Sequence, residues 1–126
     1  MLVAVVLVGA LEVVSALQAQ GVKTCVLSNT CARHWTKLSE FSAVKQASKD
    51  GCYLSFELGL VKPDVEIYRY VEAELGKTGA SIGFIDDSVD NIQAASKLGW
   101  QAIHVEHERE NSVALGAALA KMGFTL

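Results

Sequence analysis

Residues 81–100 read SIGFIDDSVDNIQAASKLGW, an apolar run, a polar turn and a helical pattern in immediate succession. Ser81 to Ile85 is a short apolar run suited to a buried strand, and it ends abruptly in two acids, Asp86 and Asp87. Beyond them Ile92, Ala95 and Leu98 recur at helical spacing. Ser88 or Asp90 is placed to cap that helix, and Gly99 ends it. A strand running into a helix, with polar residues at the turn, predicts a parallel sheet with helices packed on it. In such sheets ligands bind outside the carboxyl ends of the strands.

The same alternation extends in both directions. Lys23 to Leu27 reads as a strand with little polar alternation, as for one covered on both faces, and Ser28 and Asn29 close it. Ala32 to Leu38 and Phe41 to Lys49 read as helical, Tyr53 to Ser55 as a short strand, and Glu57 to Val61 as a loop. Pro63 suits the first turn of a helix, with Asp64 and Glu66 at its positive end. That helix has an apolar face of Ile67, Tyr68, Val71 and Leu75, and Gly76 stops it. Near the amino end, Val3 to Val8 has the composition of a strand, and Ala10 to Gln20 that of a helix capped by Gly21. Gln101 to Val105 and Asn111 to Met122 supply a last strand and helix. The fold class expected is α/β, a doubly wound parallel sheet.

Composition narrows the function. A chain of 126 residues, 51% of them hydrophobic, is expected to form one domain. The net charge of −3, without any basic run, argues against nucleic acid as a partner. Cys25, Cys31 and Cys52 show no CxxC spacing and are read as reduced thiols of a cytoplasmic protein. The apolar stretch Met1 to Leu17 lacks a basic flank, is interrupted by Glu12 and Ser15, and falls short of the roughly 20 residues that span a bilayer, so no membrane role is expected. His34, His104 and His107 have no metal-ligand spacing and read as structural or surface residues, with His34 the one placed near a cleft.

Three polar groups stand where ligands of such a sheet would bind. The Ser28 hydroxyl and neighbouring backbone N–H groups, with Asn29 beside them, can donate to a phosphoryl oxygen; the competing role is capping the next helix. Lys62 is held extended by the following proline and can neutralise phosphate as a compact cation; the competing role is a solvated lysine. Asp86 and Asp87 are costly to place side by side in a half-buried site, and a magnesium ion would offset that cost. Successive side chains on an extended chain point to opposite sides, so one acid is expected to reach the metal while the other supports it; the competing role is a helix-cap cluster.

The segments CVLSNT (25–30), LGLVKPDVEIY (58–68) and FIDDSVDNIQAASKLGW (84–100) resemble, in order, motifs II, III and IV of the haloacid dehalogenase-like (HAD) hydrolase superfamily. The form YLS-x-x-LG-x-x-KP-x-x-x-IY with DD-x-x-x-N is similar to a branch holding sugar-phosphate phosphatases and the phosphatase domain of soluble epoxide hydrolase. The resemblance implies magnesium-dependent hydrolysis of a small phosphorylated metabolite. Ser28 would bind the phosphoryl group with Asn29 beside it, and Lys62 would stabilise nucleophile and phosphate. Asp87 would bind magnesium, and Asp86 would support it. The family's nucleophile is the first aspartate of a motif I strand. Residues 1 to 8 contain no acid, and Gly9 to Gly21 resembles the helix before motif II. The expectation is therefore an N-terminally truncated core without motif I or cap. Its central strand would be lost unless Val3 to Val8 replaces it, turnover would be strongly impaired, and magnesium binding weak or absent. The alternative is a non-catalytic phosphate-binding or interaction module, with a homodimer formed through the N-terminal segment. A phospho-acceptor receiver domain joins similar residues but begins with its acid pair.

Overall fold

A computed structural model of the chain describes residues 3–6 and 14–104. Five strands form one parallel sheet: β1 (Val3–Val6), β2 (Lys23–Ser28), β3 (Cys52–Leu54), β4 (Ile82–Asp86) and β5 (Gln101–His104), in the order β3-β2-β1-β4-β5. The helices α1 (Val14–Ala19), α2 (Ala32–Leu38), α3 (Ser42–Ala47), α4 (Ser55–Leu58), α5 (Val65–Leu75) and α6 (Val89–Lys97) occupy the connections. The chain steps from β1 outward to β3, then crosses back to β4 and β5, so the winding direction reverses between β1 and β4. A crevice opens at such a reversal, at the carboxyl ends of the strands.

β1 decides a question the sequence left open. Val3–Val6 takes the central place, with Val6 opposite Val26 of β2 and Ile85 of β4. The centre of the sheet is filled, and the conditional replacement of the missing strand is the one realised. Within the chain both edges of this strand are hydrogen-bonded, so the gap in the sheet that motivated a homodimer through the N-terminal segment is filled. Leu7 and Val8 lie outside the described residues, as do Ala10 to Val13 of the expected first helix, Val105 of the last strand and the whole of Asn111 to Met122.

The burial of each strand follows its composition. Thr24 to Leu27 and Ile82 to Asp86 are buried throughout, as strands covered on both faces require. On α5, Ile67, Tyr68, Val71 and Glu72 form the buried face, and Gly76 ends the helix in the left-handed region at φ 64°. Tyr68, Phe84 and Trp100 meet edge to face, with centroids 5.3 to 5.9 Å apart, and lock α5 onto β4. The short strand sits one residue earlier than expected, at Cys52–Leu54, and a single helical turn, Ser55–Leu58, takes Glu57 and Leu58 from the expected loop. Pro63 precedes α5 instead of entering its first turn: Asp64 is the N-cap, and the Lys62–Pro63 peptide is cis. Among the described residues no helix is long and apolar enough to cross a membrane.

Candidate functional site

The reversal point holds a buried ion pair. Lys62 Nζ donates to Asp86 Oδ2 at 2.8 Å and to the Leu27 carbonyl oxygen at 3.1 Å. The two side chains are 4% and 1% exposed, so this lysine is not a solvated one. Leu27 and Asp86 each follow the residue that pairs with Val6, so the ammonium bridges β2 and β4 across the carboxyl end of β1. Among the described residues it has two acceptors for its three N–H donors. Nζ also lies 5.8 Å from the centroid of the Phe84 ring, within cation–π range.

Asp86 is surrounded by donors. Besides Lys62, the Ser88 N–H donates to Oδ1 at 2.9 Å and Asn91 Nδ2 donates to Oδ2 at 3.2 Å. Burial pushes the carboxyl up, but the Lys62 charge and these hydrogen bonds outweigh it and hold Asp86 below the usual carboxylate range. Asn91 is buried in turn, and its carbonyl accepts from the Tyr68 hydroxyl at 3.1 Å. Of the two capping candidates Ser88 is the N-cap of α6, its Oγ accepting from the Asn91 N–H, and Asp90 lies in the first turn.

Asn29 is committed to a different partner from the one expected. Its Oδ1 accepts from the Lys62 N–H at 2.9 Å and its Nδ2 donates to the Lys62 carbonyl at 3.0 Å. One amide thus grips both backbone groups of Lys62 and aims its side chain inward. Ser55 grips the next residue in the same way, accepting from the Thr30 N–H and donating to the Thr30 carbonyl, both at 2.9 Å. Neither Asn29 nor Ser28 caps α2, whose N-cap is Cys31, without a side-chain hydrogen bond. Ser28 ends β2, half-buried, and lines a cleft of about 400 Å³ with Asn29, Thr30 and α2 side chains that include His34.

Asp87 follows β4, half-buried, with its carbonyl 3.0 Å from His104 Nε2 at the end of β5. A carbonyl only accepts, so Nε2 carries the proton of that contact. Ser28, Lys62, Asp86 and Asp87 therefore stand on one rim of the sheet, around the end of β1. Asn91 was legible as the last letter of DD-x-x-x-N and Ser55 as the serine of YLS; nothing in the sequence marks His104 as a neighbour of this rim.

The donor set bears on magnesium. Among the described residues no group of three or more His, Cys, Asp or Glu side chains could hold a metal ion. Asp86 is engaged by Lys62, Ser88 and Asn91, and Asp87 is the next residue along the same rim. A single carboxylate, completed by phosphate oxygens and water, is a donor set that magnesium accepts.

Known proteins resemble this chain in sequence and fold. The family model for haloacid dehalogenase-like hydrolases matches residues 3–99. The chain is 30% identical over 89 residues to a sesquiterpene phosphatase of Aspergillus oryzae, covering 71% of this chain and 45% of that protein. It is 31% identical over 87 residues to a D-ribitol-5-phosphate phosphatase of Bacteroides thetaiotaomicron, covering 65% and 42%. It superposes, with a TM-score of 0.68 and 26% identity, on a HAD family enzyme of Bacteroides thetaiotaomicron crystallised with magnesium and inorganic phosphate, covering 79% of this chain and 54% of that one. The chain spans less than half the length of the two curated relatives.

Proposed function

This chain belongs to the haloacid dehalogenase-like hydrolases, and from that premise we propose that its rim binds the phosphate group of a small phosphorylated metabolite in a phosphatase-type site. The observation that carries the reading is the Lys62 ammonium, buried against Asp86 and the Leu27 carbonyl, at the end of β1. With two acceptors for three N–H donors among the described residues, the ammonium has one N–H left for a ligand. Ser28 supplies a hydroxyl beside it. Asn29 acts on the ligand indirectly, by fixing the backbone of Lys62. Asp87 would hold magnesium, which when bound supplies charge neutralisation for the phosphate; Asp86 serves Lys62 in place of the metal. The likeness to two phosphatases and to a magnesium- and phosphate-bound structure supports this assignment.

Neither β1 nor Leu7, Val8 and Gly9 after it contain a carboxylate. The site therefore lacks, on this strand, the group that would attack phosphorus, and binding is expected to exceed turnover. A non-catalytic phosphate-binding module is the second reading, favoured by this acid-free strand. Two measurements separate the readings: inorganic phosphate binding by calorimetry with and without magnesium, and hydrolysis of p-nitrophenyl phosphate. Binding that weakens at least tenfold in Lys62→Met supports the site. Turnover above background that is lost in the same variant establishes the phosphatase over the binding module. Absence of phosphate binding by the folded protein overturns both.

A further inference from the structure

We propose that the cleft beside Ser28 is a second-anion subsite, so that the preferred ligands are phosphate esters carrying a further carboxylate or phosphate group. The inference rests on the phosphate reading above. The cleft, about 400 Å³, runs from Ser28, Asn29 and Thr30 at the end of β2 to His34, Lys37 and Leu38 on α2. A volume of this order suits a small metabolite and exceeds what one phosphate ion fills. Its ionisable lining is basic only: His34 and Lys37 face it and no acid does. The two lie three positions apart on α2, hence on one face of the helix. Among the described residues neither side chain has an ion pair or hydrogen bond, so their donors are available to a ligand. The Ser28 hydroxyl at the other end of the cleft is likewise without a partner among the described residues. From Ala32, the first residue of α2, to Lys37 the helix rises about 7.5 Å. That spacing suits an ester of three to six carbons, with its phosphate at Ser28 and Lys62 and its second anion at Lys37. Leu38 adds an apolar surface to the same lining.

The test compares ligands matched except for the second anion, by calorimetry on the whole chain with magnesium present: glycerol 3-phosphate against 3-phosphoglycerate, and fructose 6-phosphate against fructose 1,6-bisphosphate. A solvent-screened charge contact from Lys37 and a hydrogen bond from His34 predict about a tenfold preference for the doubly anionic member. The pair with the larger preference identifies the second group as carboxylate or phosphate. Lys37→Met should reduce the preference to about threefold, and His34→Gln/Lys37→Met should abolish it, with both variants checked for folding by circular dichroism. Equal affinities within both pairs in the native protein, or a preference that survives the double variant, overturns the subsite while leaving the phosphate reading intact. Failure of inorganic phosphate to bind at all overturns that reading and the subsite with it.

Discussion

Lys62 and Asp86 are each too strongly hydrated to sit in a core alone, and they tolerate burial only together. Removing one partner from such a pair typically costs about 3–5 kcal/mol, because the other charge is left uncompensated. Lys62→Met should therefore lower unfolding stability in urea by about that amount. Adding Asp86→Asn to it should restore part of the loss, since the stranded charge is gone; strict additivity of the two single variants would refute the coupling. The pair also sets an acid sensitivity. The folded carboxyl of Asp86 titrates below its unfolded value, so its stabilisation is complete above the usual carboxylate range, about pH 4, and is lost as pH falls through the lower folded value. Stability measured from pH 6 down to pH 2 should fall less steeply in Asp86→Asn than in the native chain.

At the scale of elements, what the sequence revealed depended on how local the cause was. β4 and α6 were legible because a buried parallel strand and a capped amphipathic helix each carry their pattern within a dozen residues. The helical turn at Ser55–Leu58 was not, because its hold on the molecule is the long-range grip of Ser55 on Thr30. Glu72 shows the same limit. It lies on the apolar face of α5, where a carboxylate has no local reason to be, and is satisfied by Trp100 Nε1 at 3.0 Å and Arg69 Nη1 at 2.9 Å. The indole N–H thus ties α5 to the turn before β5, in addition to the ring contacts with Tyr68 and Phe84. Trp100→Phe keeps an aromatic ring there but withdraws a donor from a buried acid, and should cost about 1–3 kcal/mol in urea unfolding. Glu72→Gln, which retains an acceptor for the indole, should cost less; the reverse order would show that the ion pair with Arg69, and not the indole hydrogen bond, is what satisfies Glu72.

At the scale of the whole molecule, the rim is assembled from residues distant in sequence by one topological fact, the reversal of winding between β1 and β4. Alternation of strands and helices predicted that Ser28 and Asp87 would come to carboxyl ends, yet it gave no strand order; the family resemblance offered Val3 to Val8 for the central place only as a condition, which the structure realises with Val3–Val6 between β2 and β4. The roles of Asn29 and Asp86 were partly hidden for the same reason: both turn toward Lys62, which reaches the rim from a separate loop. A site built across several elements makes its ligand a stabiliser of the whole fold. Ligand binding to the native state adds RT ln(1 + [L]/Kd), about 1.4 kcal/mol when the ligand is at ten times its Kd. For a domain of this size that should raise the melting temperature by several degrees. Phosphate with magnesium should produce such a rise relative to sodium chloride of matched ionic strength. Asp87→Asn should remove the magnesium-dependent part, and Ser28→Ala should reduce the part that phosphate gives alone. A rise of equal size in the native chain and in both variants would mean that the anion acts on the general surface, and the rim would lose its claim to be the binding site.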